Sequence, residues 1–382
     1  MSSRTILGNL VNQANQQLPT SVKQLSMTNW LALRGANNKE NVVGKVSKSY
    51  VSSKSKRTPK QSRIPVAKKN PKKEYVEVHE DQSMDVEVSD NKSSEVLPEG
   101  VTDIDSEHCE DLNLCGEYAR EIYAYLRQLE ATNSVKDDYL RGCYITSKMR
   151  SLLVDWMVSV HMQFELLPET LFLSVNILDR YLQEEGKNTH RDQLQLVGVV
   201  ALLVASKIEE IYIPAIDDFV YSTDNAYTED DIKEMELKVM KALDFNLTSP
   251  IALSFLRRYS KAGDVDVLEH SVSKYILELC LMDYGQAAVP ASMSAAASLH
   301  LSLLLLEPQT TASVWNPSLE FYSGYTSASL MPIVQRMATV LVNAEAHRLQ
   351  AVRSKYSSRK FRRVAQLEEL KEEFILKRVN LE

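Results

Sequence analysis

The sequence predicts an all-α protein. Glycine is scarce, at 11 of 382 residues, strand-like alternation is hard to find, and long stretches carry apolar residues at helical spacing. A hydrophobic fraction of 44% supports a substantial core in a chain long enough for two domains and a tail.

The first hundred or so residues do not share this character. Residues 45–73 are basic, rich in Ser and Pro and free of Asp or Glu, and acidic residues dominate 74–107. Neither block has the apolar content to offset the entropy of ordering, so residues 1–108 are predicted to be a disordered tail. Its basic block reads as a solubilising linker, or as a nuclear-import or nucleic-acid patch. Arg4, Leu7 and Asn12 have the R-x-x-L-x-x-x-x-N spacing of a destruction box, and Lys39, Glu40 and Asn41 spell a KEN box. Both resemble degrons read by the anaphase-promoting ubiquitin ligase, and an extended tail is what a receptor groove requires. Lys45, Lys48, Lys54 and Lys56 would then be ubiquitin acceptors, and Thr58-Pro59 is a minimal proline-directed phosphorylation site.

The helical body is predicted to start near Asp111. Residues 114–130 place Tyr118, Ile122, Tyr125 and Leu129 on one stripe of an amphipathic helix. A helix over 147–166 follows, whose run 149–160 is apolar around most of its circumference, as a central helix would be. Arg150 and Asp155 interrupt that run, and a charge buried there must be paired or it costs several kcal/mol. The next helix, Pro168–Glu185, carries proline in its first turn, and residues 191–210 form a nearly apolar third. Thr228-Glu229-Asp230-Asp231 reads as a capped start of a helix running to Leu243.

Beyond Ser249-Pro250 the pattern recurs. Residues 268–284 are amphipathic, and the small-residue, Leu-rich stretch 290–307 repeats the character of 194–210 roughly 100 residues later. Gly198, Ala201 and Ala205 in one copy, and Ala295, Ala296 and Ala297 in the other, would let neighbours approach a central helix closely. Two stacked copies of one helical unit are therefore expected, with a last amphipathic helix over 359–379.

Several function classes are disfavoured. The four cysteines, Cys109, Cys115, Cys143 and Cys280, form no C-x-x-C pair or metal-ligand cluster and read as reduced thiols of an intracellular protein. No Gly-rich phosphate loop, nucleophile elbow or H-E-x-x-H motif occurs, so neither enzyme, metal nor cofactor is expected. Residues 1–17 lack the apolar run of a signal peptide, and the longest apolar runs, 194–205 and 299–306, are too short for a bilayer. The net charge of −7 argues against general nucleic-acid binding.

The stretches MRSLLVDWMVSV, NILDRYL, LQLVGVVALLVASKIEEIYIP and DNAYTEDDIKEMELKVMKALDFNL, in that order and spacing, resemble the cyclin box of the mitotic cyclins. The similarity covers about residues 111–370, and LCGEYAREIYAYLRQLE with FLRRYSKAGDVDVLEHSVSKYILELCLMDY is closer to B-type than A-type members. The resemblance implies two tandem five-helix cyclin boxes, over 109–246 and 247–382, behind a leading helix and the tail. It implies a regulatory subunit, not an enzyme, that binds and activates a cyclin-dependent kinase at G2/M and moves between cytoplasm and nucleus.

The resemblance also assigns residues. Arg150 and Asp179 match a buried ion pair, and Leu196 a core position. Lys207 and Glu236 match a charged pair facing the kinase, Phe245 an aromatic on that surface, and Tyr118, Ile122 and Tyr125 a helix packing on the kinase. Met149, Leu153 and Trp156, with Arg191, Leu194 and Gln195, match a patch that docks R-x-L substrates and inhibitors. Ser159 departs from that patch, since a related cyclin type has an acidic residue there. Arg257, His270 and Lys274 resemble a phosphate-binding set, with the last two at i and i+4 on one helix. An A-type cyclin and a cyclin-fold transcription protein are the alternative readings.

Overall fold

The computed structural model describes residues 97–106, 115–307 and 314–379, and among them there are thirteen α-helices and no strand. A leading helix, α1 (Ala119–Thr132), precedes two five-helix units. The first contains α2 (Ser147–Gln163), α3 (Pro168–Glu185), α4 (Leu194–Glu209), α5 (Ile216–Ser222) and α6 (Glu229–Ala242). The second contains α7 (Ala252–Ala262), α8 (Val267–Met282), α9 (Ala291–Leu306), α10 (Pro317–Ser323) and α11 (Ser327–Asn343). Two shorter helices follow, α12 (Ala351–Tyr356) and α13 (Glu372–Val379).

Local chemistry sets the helix starts. The Thr146 hydroxyl accepts the Met149 N–H at 3.3 Å ahead of α2, Pro168 opens α3, and Thr228 and Asp231 cap α6 reciprocally. Apolar content then decides depth. Every residue of α4 from Leu194 to Ser206 is buried, and α2, α3, α5 and α6 surround it. The equivalent α9 is enclosed by α7, α8, α10 and α11, with Ala295, Ala296 and Ala297 fully buried. Close approach needs small residues here: a Cβ on Gly198 would lie 2.7 Å from Leu153 Cδ1.

The two charges inside α2 are both satisfied. Arg150 pairs with Asp179 of α3, Nη2 to Oδ2 at 2.6 Å, and both side chains are buried. Asp155, for which the sequence names no partner, accepts the Ala351 N–H at 2.9 Å and so caps the start of α12. Burial pushes its carboxyl up to about 6, against the lowering effects of that N–H and of His347. A second buried ion pair holds the same region, with Lys355 Nζ of α12 at 2.8 and 2.7 Å from the Glu278 carboxylate of α8.

Three expectations need correction. The tail predicted over 1–108 is too long, because residues 97–106 pack on the second unit. Thr102 N–H donates to the Ser318 hydroxyl at 3.0 Å, Tyr322 OH donates to the Thr102 carbonyl at 3.1 Å, and Ile104 is buried. Asp105 is buried against Arg258, Oδ2 to Nη2 at 2.7 Å, a pairing that fixes where this short segment docks and that would be costly to break from one side. The single helix expected over 359–379 is instead three 3₁₀ turns, Arg359–Phe361, Val364–Gln366 and Glu368–Leu370, followed by α13. Left-handed backbone at Arg362 and Arg363 stops helix propagation there. The helix expected over 191–210 opens as a 3₁₀ turn, Arg191–Gln193, before α4. The destruction-box and KEN residues, the tail lysines, Thr58 and Cys109 lie outside the described residues.

Candidate functional site

The strongest candidate surface is an exposed apolar face around one ion pair. Lys207, in the last turn of α4, is salt-bridged to Glu236 of α6, with both side chains partly exposed. Around them Ile208, Leu237 and Phe245 are exposed, and beyond the end of α4 Ile211 and Tyr212 are 90% and 89% exposed, with Ile213 also open. Tyr118, Ile122 and Tyr125 form a second exposed stripe along the leading segment and α1. Other exposed apolar side chains, such as Tyr144, Leu167 and Val267, lie apart along the sequence, whereas Ile208, Ile211, Tyr212 and Ile213 run together beyond one helix end, as a surface that something else covers would.

The backbone at this face is strained as well. Phe245 has φ of 57° and follows Asp244 at 49°, a left-handed pair that glycine would adopt at less cost. The Phe245 N–H donates to the Met240 carbonyl at 2.9 Å, which fixes the turn and holds the ring out. Sequence reasoning missed Ile208, Ile211, Tyr212, Ile213 and Leu237. The legible signal was IYIP, an apolar cluster beyond the helix end that no amphipathic period explains.

At the expected docking patch most side chains are buried. Leu153 and Leu194 are fully buried, and Met149, Trp156 and Gln195 are buried with small remaining exposures. Leu153 packs against Gly198 of α4, so it is core. Arg191 stays exposed and its Nε donates to the Tyr144 carbonyl at 3.4 Å.

Arg257, His270 and Lys274 are brought together. Burial, then Lys274, then Arg257 push the His270 imidazole down to about 4. Lys274 is lowered by burial above all, with Arg257 and Lys355 acting in the same sense and Glu278 and Glu169 opposing them. Ser260 Oγ lies 2.8 Å from His270 Nδ1. Arg257, however, already carries Glu169 as a salt-bridge partner, so an anion would have to compete with that carboxylate. Among the described residues no group of His, Cys, Asp and Glu is arranged to hold a metal ion.

Comparison with known proteins agrees with this architecture. The cyclin N-terminal domain matches residues 121–248 and the cyclin C-terminal domain residues 250–370. A G2/mitotic-specific cyclin-B of Marthasterias glacialis is 48% identical over 277 residues, covering 72% of this chain and 70% of that protein. G2/mitotic-specific cyclin-B2 of Homo sapiens is 44% identical over 293 residues, covering 76% and 72%. Among solved structures, a viral cyclin from herpesvirus saimiri superposes with a TM-score of 0.52 at 21% identity, covering 61% of this chain and 99% of that one. The chain therefore belongs to the cyclin family, among its G2/mitotic-specific B-type members.

Proposed function

We propose that this chain is the regulatory subunit of a cyclin-dependent kinase that it binds and activates at the G2/M transition, forming a heterodimer. Family membership supports the role, and the observation that carries its placement is the open apolar face around Lys207 and Glu236. Apolar groups, from Tyr118, Ile122 and Tyr125 to Ile211, Tyr212 and Phe245, supply binding energy on being covered. Lys207 and Glu236 exchange their mutual contact for kinase backbone groups and fix register. Activation follows by population shift. A rigid partner that binds only the kinase form with its regulatory helix swung in favours the Lys–Glu pair that positions ATP.

Two further roles complete the reading. The Arg257, His270 and Lys274 cluster receives phosphorylated substrate segments, whose dianion displaces Glu169 from Arg257 and favours protonation of His270. The motifs at Arg4, Leu7, Asn12 and at Lys39, Glu40, Asn41 direct timed ubiquitin-dependent destruction through the anaphase-promoting ligase, in a protein shared between cytoplasm and nucleus.

Pull-down with a cyclin-dependent kinase, read as histone phosphorylation, tests the main proposal. Full-length and tail-deleted forms are expected to activate equally, and absence of kinase activity with both would refute it. The Lys207→Ala/Glu236→Ala variant tests the placement, and undiminished binding and activation would remove those contacts from the interface. Loss of phosphopeptide binding in Arg257→Glu supports the phosphate cluster, and unchanged binding removes it.

A further inference from the structure

Residues 359–363, Arg-Lys-Phe-Arg-Arg, place four cations in five positions on the connection between α12 and α13. Arg359, Lys360, Arg362 and Arg363 are all exposed, and among the described residues none of the four forms an ion pair with a carboxylate. Nearby cations differ in this respect: Lys355 is held by Glu278, Arg353 by Glu345 and Lys371 by Glu368.

The turn is firmly built. Phe361 and Arg363 N–H groups both donate to the Ser358 carbonyl, at 3.2 and 3.1 Å, and Arg362 N–H donates to the Arg359 carbonyl at 3.1 Å. The Phe361 ring packs 4.9 Å from the Tyr356 ring and lies 5.3 Å from the Lys355 ammonium, which is itself clamped by buried Glu278. Val364, directly after the turn, is fully buried. The cations thus stand on a base anchored in the core.

Arg362 and Arg363 both have left-handed backbone, with φ of 56° and 54°. Residues with a Cβ adopt that conformation at a cost that glycine avoids. A turn needing only its shape would be served by glycine, so two arginines here point to a use for their guanidinium groups. Guanidinium forks match carboxylate and phosphate oxygens two at a time, and a fixed array loses little freedom on binding.

We propose that the 359–363 turn is a docking site for a short acidic peptide segment of a partner protein, carrying carboxylate or phosphoserine groups. Charge favours a peptide over a nucleic acid. The turn is followed by Glu368, Glu369, Glu372 and Glu373 in a chain of net charge −7, and a long polyanion would meet that repulsion where a short segment need not. The turn lies between α12 and α13, whereas Arg257, His270 and Lys274 belong to α7 and α8, so the two sites are separable by substitution.

The test measures binding of a fluorescent, glutamate-rich phosphoserine peptide to the full-length chain by anisotropy. Arg359→Glu/Lys360→Glu/Arg362→Glu/Arg363→Glu is expected to weaken binding by about tenfold or more, over a background from the basic tail common to all variants. Arg362→Gly/Arg363→Gly separates charge from fold. It relieves the left-handed strain, so the thermal midpoint is expected to hold while affinity falls several-fold. Because the Arg257, His270 and Lys274 cluster is itself proposed to hold phosphopeptides, the fourfold substitution is also made in an Arg257→Glu background, where it is expected to lower the remaining affinity by a similar factor. Affinity within about twofold of wild type in the fourfold variant would overturn the proposal. So would no further loss from the fourfold substitution in the Arg257→Glu background, undiminished affinity in the glycine variant, or tighter binding of a short single-stranded DNA through the same four residues.

Discussion

Arg150 and Asp179 meet fork to carboxylate almost wholly buried, Nε to Oδ1 at 2.7 Å and Nη2 to Oδ2 at 2.6 Å. Tyr139 OH donates to the same carboxylate at 2.7 Å, and Arg150 Nη1 donates to the Leu281 carbonyl of α8 at 2.9 Å, so the pair also joins the two units. Asp179→Ala would leave a buried guanidinium without its counter-charge and is expected to cost about 3–5 kcal/mol. Arg150→Met/Asp179→Leu removes both charges and is expected to cost much less. Urea unfolding of the three proteins checks this, and equal losses would show that packing, not charge, is what the site needs.

Gly198 and Leu153 make a second, uncharged prediction. A methyl on Gly198 meets Leu153 Cδ1 at 2.7 Å in a core with no room to yield, so Gly198→Ala is expected to destabilise by roughly 1–3 kcal/mol. Leu153→Val in the same chain should recover part of that loss. Non-additivity in a double-mutant cycle is the readout, and simple additivity would mean that the helices move apart instead.

Where apolar spacing coincides with a clear start signal or with burial all round, the sequence period is enough to find a helix. Pro168–Glu185 has its predicted bounds, and α2, α4, α6, α8 and α9 fall within a few residues of theirs, because their apolar spacing and caps agree with the tertiary outcome. The short helices α5, α10 and α12 went unseen, as pieces of six or seven residues carry too little period to register, and α7 and α11 went unseen too, the first starting without a side-chain cap and the second carrying Pro332 inside it. The terminal stretch misled for another reason: its composition is helical, but Phe361 and Val364 are drawn to the core by a turn that helix geometry does not allow. Spacing also put Met149, Leu153 and Trp156 on one face without saying whether that face met solvent or α4. The exposed Ile211 and Tyr212 were hidden for the converse reason, since apolar residues are expected inside until a structure shows them outside.

Asp155 gives stability a pH dependence whose sign is fixed. Its folded carboxyl sits at about 6 against an ordinary value of 3.8, so the folded chain holds that proton more tightly than the unfolded chain does. Its favourable contribution is complete below about pH 4 and is lost as pH rises through 6. Asp155→Asn keeps an oxygen for the Ala351 N–H and removes the titration. Relative to that variant, the wild-type chain is expected to lose on the order of 1–3 kcal/mol between pH 4 and pH 7. Parallel melting curves at stepped pH decide it, and a constant difference between the proteins would place the Asp155 pKa at its ordinary value.

The strap at residues 97–106 rests on Asp105 and Arg258, and the surroundings of Arg258 make its removal informative. The guanidinium is stacked between Tyr123 of α1 and Tyr322 of α10, 5.1 and 4.9 Å from their ring centres, while Asp105 closes its hydrogen-bonding edge. Asp105→Ala leaves Arg258 buried and without that charge partner, and is expected to cost about 3 kcal/mol. The loss should be local. Amide exchange at Thr102 and Ile104 is expected to accelerate strongly, because their acceptors, the Ser318 and Tyr322 hydroxyls, are reached only while the strap is docked. Exchange in α4 should change only by the global loss. Asp105→Leu/Arg258→Met should restore part of the stability by filling the slot with apolar atoms. Unchanged exchange at Thr102 and Ile104 in Asp105→Ala would transfer the anchoring role to Ser318, Tyr322 and the buried Ile104 side chain.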